Sequence, residues 1–394
     1  MGPIVKTLCI AVLCLTPFAQ VLAQSANSLS PQLVIAHRGA SSVAPEHTFH
    51  AYDLAMAMDA DMLECDLLLT RDEVPVCIHD TTVDRTSDAS GAVSDYTLAE
   101  LREMDFGTWF NTQNPTQADP AYAGAKIVPF EEQLDCYLRI NPLMRFHVET
   151  KDSAGGRAEA VLTELLTRKG LIDTGGGRVA DSSVLIQSFD PASLERIKAL
   201  APTLPTVYLY GAPTNLRNLS IQTSGTGDAY MDAFSPNNAN ILADPSVIDR
   251  FHANGHDVHT YTVNDRQTMD TLLGYGIDGI FTNNPDILRA AIDDLGTGTS
   301  PEQRGNPSDF ERGCPGVAGR VVSNQGPGDT WAPAPSGRGV VLVQAAGEPP
   351  TPPGDAPDAG DQAADTGGGA ISLLTLVGLI GLLFLGHRGR SRPR

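Results

Sequence analysis

Two histidines, three carboxylates and two cationic side chains stand at the ends of apolar runs, and they are the residues of this chain best placed for chemistry. Leu33-Val34-Ile35-Ala36 reads as a buried strand that Gly39 ends, which leaves His37 and Arg38 where strand becomes loop. Glu64 and Asp66 lie two apart in Met62-Leu63-Glu64-Cys65-Asp66-Leu67-Leu68-Leu69, so in a strand they share a face. Two like charges on one buried face are costly unless a cation or hydrogen-bond donors compensate them. Val74-Pro75-Val76-Cys77-Ile78 delivers His79 and Asp80 at its end, and Phe146-His147-Val148-Glu149-Thr150-Lys151 adds a third carboxylate and a lysine on one face. An all-oxygen set of Glu64, Asp66 and Glu149 suits a hard divalent cation, Ca²⁺ or Mg²⁺, rather than zinc. Arg38 and Lys151 would hold phosphate oxygens, while His37 and His79 would act as acid and base. Such a set is suited to metal-assisted phosphoryl chemistry.

The elements that must position these groups follow from the alternation of apolar runs. From Leu33 to about Leu295, strand-like runs alternate with helix-like segments. Strands are expected at 33–36, 62–70, 74–79, 144–151, 183–189, 206–210, 229–234, 257–263 and 279–282, with a hairpin-like link at Arg71-Asp72-Glu73. Helices are expected at 47–59, 130–141, 158–169, 191–200, 245–253, 266–275 and 286–295. Repeated alternation implies a parallel sheet with helical crossovers, and a count near eight favours a closed TIM (β/α)8 barrel, with an open doubly wound sheet as runner-up. The glycine spacing of a nucleotide-binding loop is absent after the first strand. Residues 81–125 interrupt the alternation and read as a small inserted subdomain over the pocket mouth.

Composition bounds the rest. The 394 residues carry 27 Lys+Arg against 47 Asp+Glu, a net charge of −20, which argues against non-specific nucleic-acid binding. Residues 1–23 read as a signal peptide, with Lys6, an apolar stretch from Leu8 to Leu15 and Val21-Leu22-Ala23 before the cleavage point. The body spans 32–296, and 297–366 is a Gly/Pro/Asp-rich linker. In 367–394, three glycines precede an apolar stretch at 370–386 and an arginine-rich tip, which resembles a GlyGly-type C-terminal sorting signal of Gram-negative bacteria. That resemblance implies export across the inner membrane and processing by a sorting protease, giving a periplasmic, cell-surface or secreted protein. A permanent anchor through 370–386 is the alternative. Cys65, Cys77, Cys136 and Cys314 remain after the signal, as disulfides or as buried thiols, and sequence alone does not give the pairing.

The ordered set His37-Arg38-Gly39, Ala44-Pro45-Glu46-His47-Thr48, Glu64-Cys65-Asp66, His79-Asp80, Asp84-Arg85-Thr86 and Glu149-Thr150-Lys151 resembles the glycerophosphodiester phosphodiesterase family. Gln187-Ser188-Phe189-Asp190, Tyr261-Thr262-Val263-Asn264 and Asp278-Gly279-Ile280-Phe281-Thr282 extend the likeness. It implies a metal-dependent barrel enzyme that hydrolyses glycerophosphodiesters to glycerol 3-phosphate and an alcohol. It assigns His37 and His79 to catalysis, Glu64, Asp66 and Glu149 to the cation, and Arg38 and Lys151 to phosphate. Glu46, Asp80 and Tyr261 are candidates for supporting or pocket positions. The family usually carries Asn where this chain has His47, Trp at Tyr261 and Asp at Asn283. Phospholipase D-like action on intact lipids and a non-catalytic metal-binding surface barrel are the alternatives; the insert counts against the first and the complete residue set against the second. His147 reads as a buried structural residue, His252, His256 and His259 suggest no site, and Trp109 with Phe110 read as the core of the insert.

Overall fold

A computed structural model of the chain describes residues 32–151, 154–172, 179, 182–211, 230–296 and 314. The signal-peptide, linker and C-terminal sorting or anchor segments expected from the sequence lie outside these residues, Cys314 excepted. Among the described residues no helix is long and apolar enough to cross a membrane.

Eight parallel strands close into a barrel. They are β1 (Leu33–Ala36), β2 (Met62–Leu69), β5 (Arg145–Thr150), β6 (Val184–Ser188), β7 (Thr206–Tyr210), β8 (Ala233–Pro236), β9 (Asp257–Thr260) and β10 (Gly279–Thr282). Each pairs with the next, and β10 returns to β1 with Leu33 opposite Gly279. The expected TIM barrel is therefore present. Helices α1 (Phe49–Ala57), α4 (Phe130–Ile140), α5 (Arg157–Lys169), α6 (Pro191–Leu200), α8 (Ser246–His252), α9 (Arg266–Gly274) and α10 (Pro285–Leu295) run between the strands or, for α10, after the last. Their starts follow local chemistry: Thr48, Asp190 and Asp265 accept hydrogen bonds from the first free backbone N–H groups of α1, α6 and α9.

Alternation along each strand sorts the side chains. Val34, Leu63, Cys65, Phe146, Val148, Ile186 and Ile280 belong to the large outer core beneath the helices. Leu33, Ile35, Met62, Leu185, Val207, Ala233 and Phe281 form a smaller apolar cluster. Met62 shares its face with Glu64 and Asp66, so β2 turns one apolar and two acidic residues the same way. His147 and His259 are fully buried, 3.3 Å apart between Nε2 and Nδ1. Both rings pack edge-on against Phe281. A Cβ at Gly279 would meet His259 Cδ2 at 2.7 Å, so a glycine here admits the imidazole.

Two expected strands differ, and one helix is added. The 74–79 run is a shorter strand, β3 (Pro75–Cys77), antiparallel to β2 as the hairpin-like link implies, and it lies outside the barrel with β4 (Val128–Pro129) beside it. In the 229–234 run the strand, β8, begins only at Ala233; just before it the Asp232 carboxylate accepts from the Thr206 backbone N–H at 2.8 Å. A further short helix, α7 (Asn238–Ala243), follows β8. Residues 81–125 contain two short helices, α2 (Leu98–Leu101) and α3 (Thr108–Gln113). Val83, Val93, Leu101 and Phe106 pack on Leu68, Val76 and Ile78. Phe110 and Tyr122 pack on Ala44 and Ala51, and the Tyr122 hydroxyl donates to the Val43 carbonyl at 2.9 Å. Disulfides join Cys65 to Cys77 and Cys136 to Cys314.

Candidate active site

One edge of β2 brings the two histidines together. β1 pairs with the first half of that edge, ending with Ala36 opposite Leu63. β3 approaches from the other end, antiparallel, with Cys77 opposite Leu67. The C-terminal ends of β1 and β3 thus converge over Glu64 and Asp66, and each strand releases a histidine there. The Ile78 N–H donates to the Asp66 carbonyl at 2.8 Å, and the Arg38 N–H donates to Glu64 Oε2 at 2.7 Å. Arg38 and His47 hold left-handed backbone conformations, φ 59° and 56°, unusual for residues other than glycine. Gly39 lies against α1, where a Cβ would come within 2.7 Å of Ala51.

The carboxylates face three cationic or imidazole groups. Asp66 Oδ2 lies 3.2 Å from Arg38 Nε and 2.8 Å from His47 Nε2. Lys151 Nζ stands 3.5 Å from Asp66 Oδ1 and 3.4 Å from Glu149 Oε1. Burial favours a neutral Asp66, but Lys151, His79 and Arg38 outweigh it and hold the carboxyl well below its ordinary range. Glu64 goes the other way: burial and the neighbouring Asp66 push it well above its ordinary range. Burial also raises Glu149, to about 7, with Asp66 opposing its ionisation and Lys151 favouring it. Glu64 Oε1 is buried without a hydrogen-bond partner.

Each histidine is oriented by a neighbour. His37 Nδ1 lies 2.8 Å from Asn283 Oδ1, and the amide carbonyl can only accept, so Nδ1 carries the proton. Asn264 Oδ1 in turn accepts from the Asn283 N–H at 2.9 Å, which links two of the late sequence motifs to His37. His37 is half-buried, and desolvation, with Arg38 beside it, drives the imidazole down to about 3. His79 Nδ1 lies 2.7 Å from Asp80 Oδ1. Arg85 then bonds Asp80 Oδ2 at 2.6 Å and both oxygens of Glu46 at 2.8 Å, and Arg38 reaches Glu46 Oε1 at 3.2 Å. These contacts form a continuous chain from His79 through Asp80, Arg85, Glu46 and Arg38 to Asp66.

Of the seven residues expected in the catalytic, cation and phosphate sets, five thus lie at or just past the C-terminal ends of β1, β3 and β5, and Glu64 and Asp66 lie within β2 beneath them. Glu46 and Asp80 brace them. Tyr261 sits at the barrel mouth, where its hydroxyl donates to the Tyr210 carbonyl at 2.5 Å and its ring meets Phe189 edge-on. Arg85, Tyr52, His47 and Asn283 also belong to the site, through contacts that no local sequence pattern signals. His47, Glu64 and Asp66 each offer an atom within 4.8 Å of the others, a group able to hold a metal ion. The buried acidic pair and the unpartnered Glu64 oxygen fit a divalent cation.

Comparison with known proteins agrees with this geometry. Residues 37–287 match the model of the glycerophosphoryl diester phosphodiesterase family. The Bacillus subtilis glycerophosphodiester phosphodiesterase is 36% identical over 277 residues, covering 68% of this chain and 89% of that protein. A solved Oleispira antarctica phosphodiesterase, in complex with the product sn-glycerol-3-phosphate, is 26% identical with a TM-score of 0.56, covering 67% of this chain and 97% of that one. A Silicibacter pomeroyi structure is 25% identical with a TM-score of 0.58, covering 68% and 96%. With the matched residues including both histidines and all three carboxylates, this chain belongs to the glycerophosphoryl diester phosphodiesterase family.

Proposed function

We propose that this protein hydrolyses glycerophosphodiesters to sn-glycerol 3-phosphate and an alcohol, with His37 and His79 as the acid–base pair beside a divalent cation, Ca²⁺ or Mg²⁺. The observation that carries this reading is the convergence of His37 and His79 over Glu64 and Asp66, with Arg38, Lys151 and Glu149 around them. Glu64, Asp66 and Glu149 would hold the cation. When bound, it would withdraw charge from a phosphoryl oxygen. Arg38 and Lys151 orient the remaining oxygens of the phosphate.

The two imidazoles are set up for different tasks. His37 is neutral, with its proton on Nδ1 toward Asn283, so Nε2 offers a lone pair to the attacking hydroxyl or water. His79 is backed by the Asp80 carboxylate, which favours an imidazolium that gives its proton to the leaving alkoxide. Arg85 and Glu46 keep Asp80 and Arg38 in place. The test is release of glycerol 3-phosphate from glycerophosphocholine by purified protein. Activity should vanish with a chelator and return with excess Ca²⁺ or Mg²⁺; chelator-resistant turnover would contradict the cation's part. The signal-like residues 1–23 and two disulfides support an exported enzyme, processed or anchored through 367–394. Protease-accessibility of the protein in intact cells and spheroplasts tests that placement.

A further inference from the structure

We propose that His47 is a nitrogen ligand of the cation site, so that this site takes Mn²⁺ more firmly than an oxygen-only set would. The proposal rests on the cation-dependent reading above and adds one ligand to it.

In this arrangement the Tyr52 hydroxyl gives its single proton to the Glu64 carbonyl oxygen, 3.1 Å away, which can only accept. The same hydroxyl oxygen is 2.7 Å from His47 Nδ1, and having given its proton away it accepts from Nδ1–H. A neutral imidazole then presents its Nε2 lone pair to Asp66 Oδ2 at 2.8 Å, and that oxygen is itself an acceptor. Two acceptors facing each other at this distance repel unless a cation joins them. Neighbouring ligands of an octahedral ion with bonds of about 2.0–2.1 Å have a similar separation. One oxygen of Glu64 completes the group within 4.8 Å, and all three residues are buried.

The surroundings hold the ring in this pose. His47 adopts φ 56°, and its N–H donates to the Arg38 carbonyl at 3.0 Å, tying it to the loop that also carries His37. A hydroxyl that fixes the second ring nitrogen is the usual outer support of a metal-binding histidine. Imidazole is a better partner for Mn²⁺ and later divalent ions than for Ca²⁺.

Full-length, metal-stripped protein loaded with one equivalent of Mn²⁺ provides the test, read by electron spin echo envelope modulation. The wild type should show coupling to an imidazole ¹⁴N that changes to a ¹⁵N pattern when the protein is labelled with ¹⁵N-histidine. His47→Asn should lose that coupling and bind Mn²⁺ roughly tenfold or more weakly, with a smaller loss for Ca²⁺. Asparagine tolerates the left-handed backbone, and circular dichroism checks the fold. Bound Mn²⁺ without histidine coupling in the wild type would overturn the proposal while leaving the cation reading intact. It would mean that Nε2 donates a hydrogen bond to Asp66 instead. Failure of the wild type to bind Mn²⁺, Ca²⁺ or Mg²⁺ would overturn both.

Discussion

His37 faces the Asn283 amide and not a carboxylate, and this single atom type bears on the pH dependence of the site. Desolvation and Arg38 hold the ring neutral, and Asn283 adds no charge to oppose them. Asn283→Asp would place an anion at Nδ1 and raise the proton affinity of His37. If His37 works as the base, its active form is then lost from a higher pH as acid is added. The acid limb of kcat/KM should move up by about one unit or more; an unmoved limb would mean His37 is not the titrating base. His37, His79, Glu64, Asp66 and Glu149 were legible in the sequence because each sits at a definite place on an apolar run. His47 and Asn283 were not, because their meaning depends on a left-handed turn and on a contact between residues 246 positions apart.

At the scale of elements, the decisive feature is the shared edge of β2. Parallel strand–helix alternation and the hairpin-like link at Arg71-Asp72-Glu73 were readable, but a short apolar run does not show whether it joins the barrel. Hence 74–79 was anticipated as a strand without its separation from the barrel, and 229–234 was placed too early. The Cys65–Cys77 disulfide ties β3 to β2 across this edge, with a separation of 12 residues. Replacing both cysteines with alanine should lower unfolding stability by about 2–4 kcal/mol, measured by urea titration. Turnover should also fall, since β3 carries His79. Full stability in the double variant would show that β3 is held without the covalent link.

Across the whole molecule, the barrel separates chemistry at its C-terminal mouth from support elsewhere. Asp278, immediately before β10, is fully buried and lies 2.6 Å from His252 Nε2, while accepting from the Val258 N–H at 2.7 Å. Burial opposes the charge on His252, but Asp278 outweighs it and raises the imidazole above its ordinary 6.5. This contribution to stability is fully present below about pH 6.5 and is lost as pH rises through the higher folded value. His252→Gln should therefore be less stable than wild type near pH 6, with the gap closing by about pH 9. A gap independent of pH would show that the imidazole contributes packing alone. The barrel class was legible in the sequence; the Cys136–Cys314 link was not, because pairing requires proximity that spacing does not encode. The central claim is that two strand ends deliver an acid–base pair to one phosphodiester. It is tested most directly by the rate of glycerol 3-phosphate release from glycerophosphocholine by His79→Ala, at unchanged circular dichroism. The expected rate is about 10²–10⁴-fold below wild type, and a wild-type rate would contradict the account.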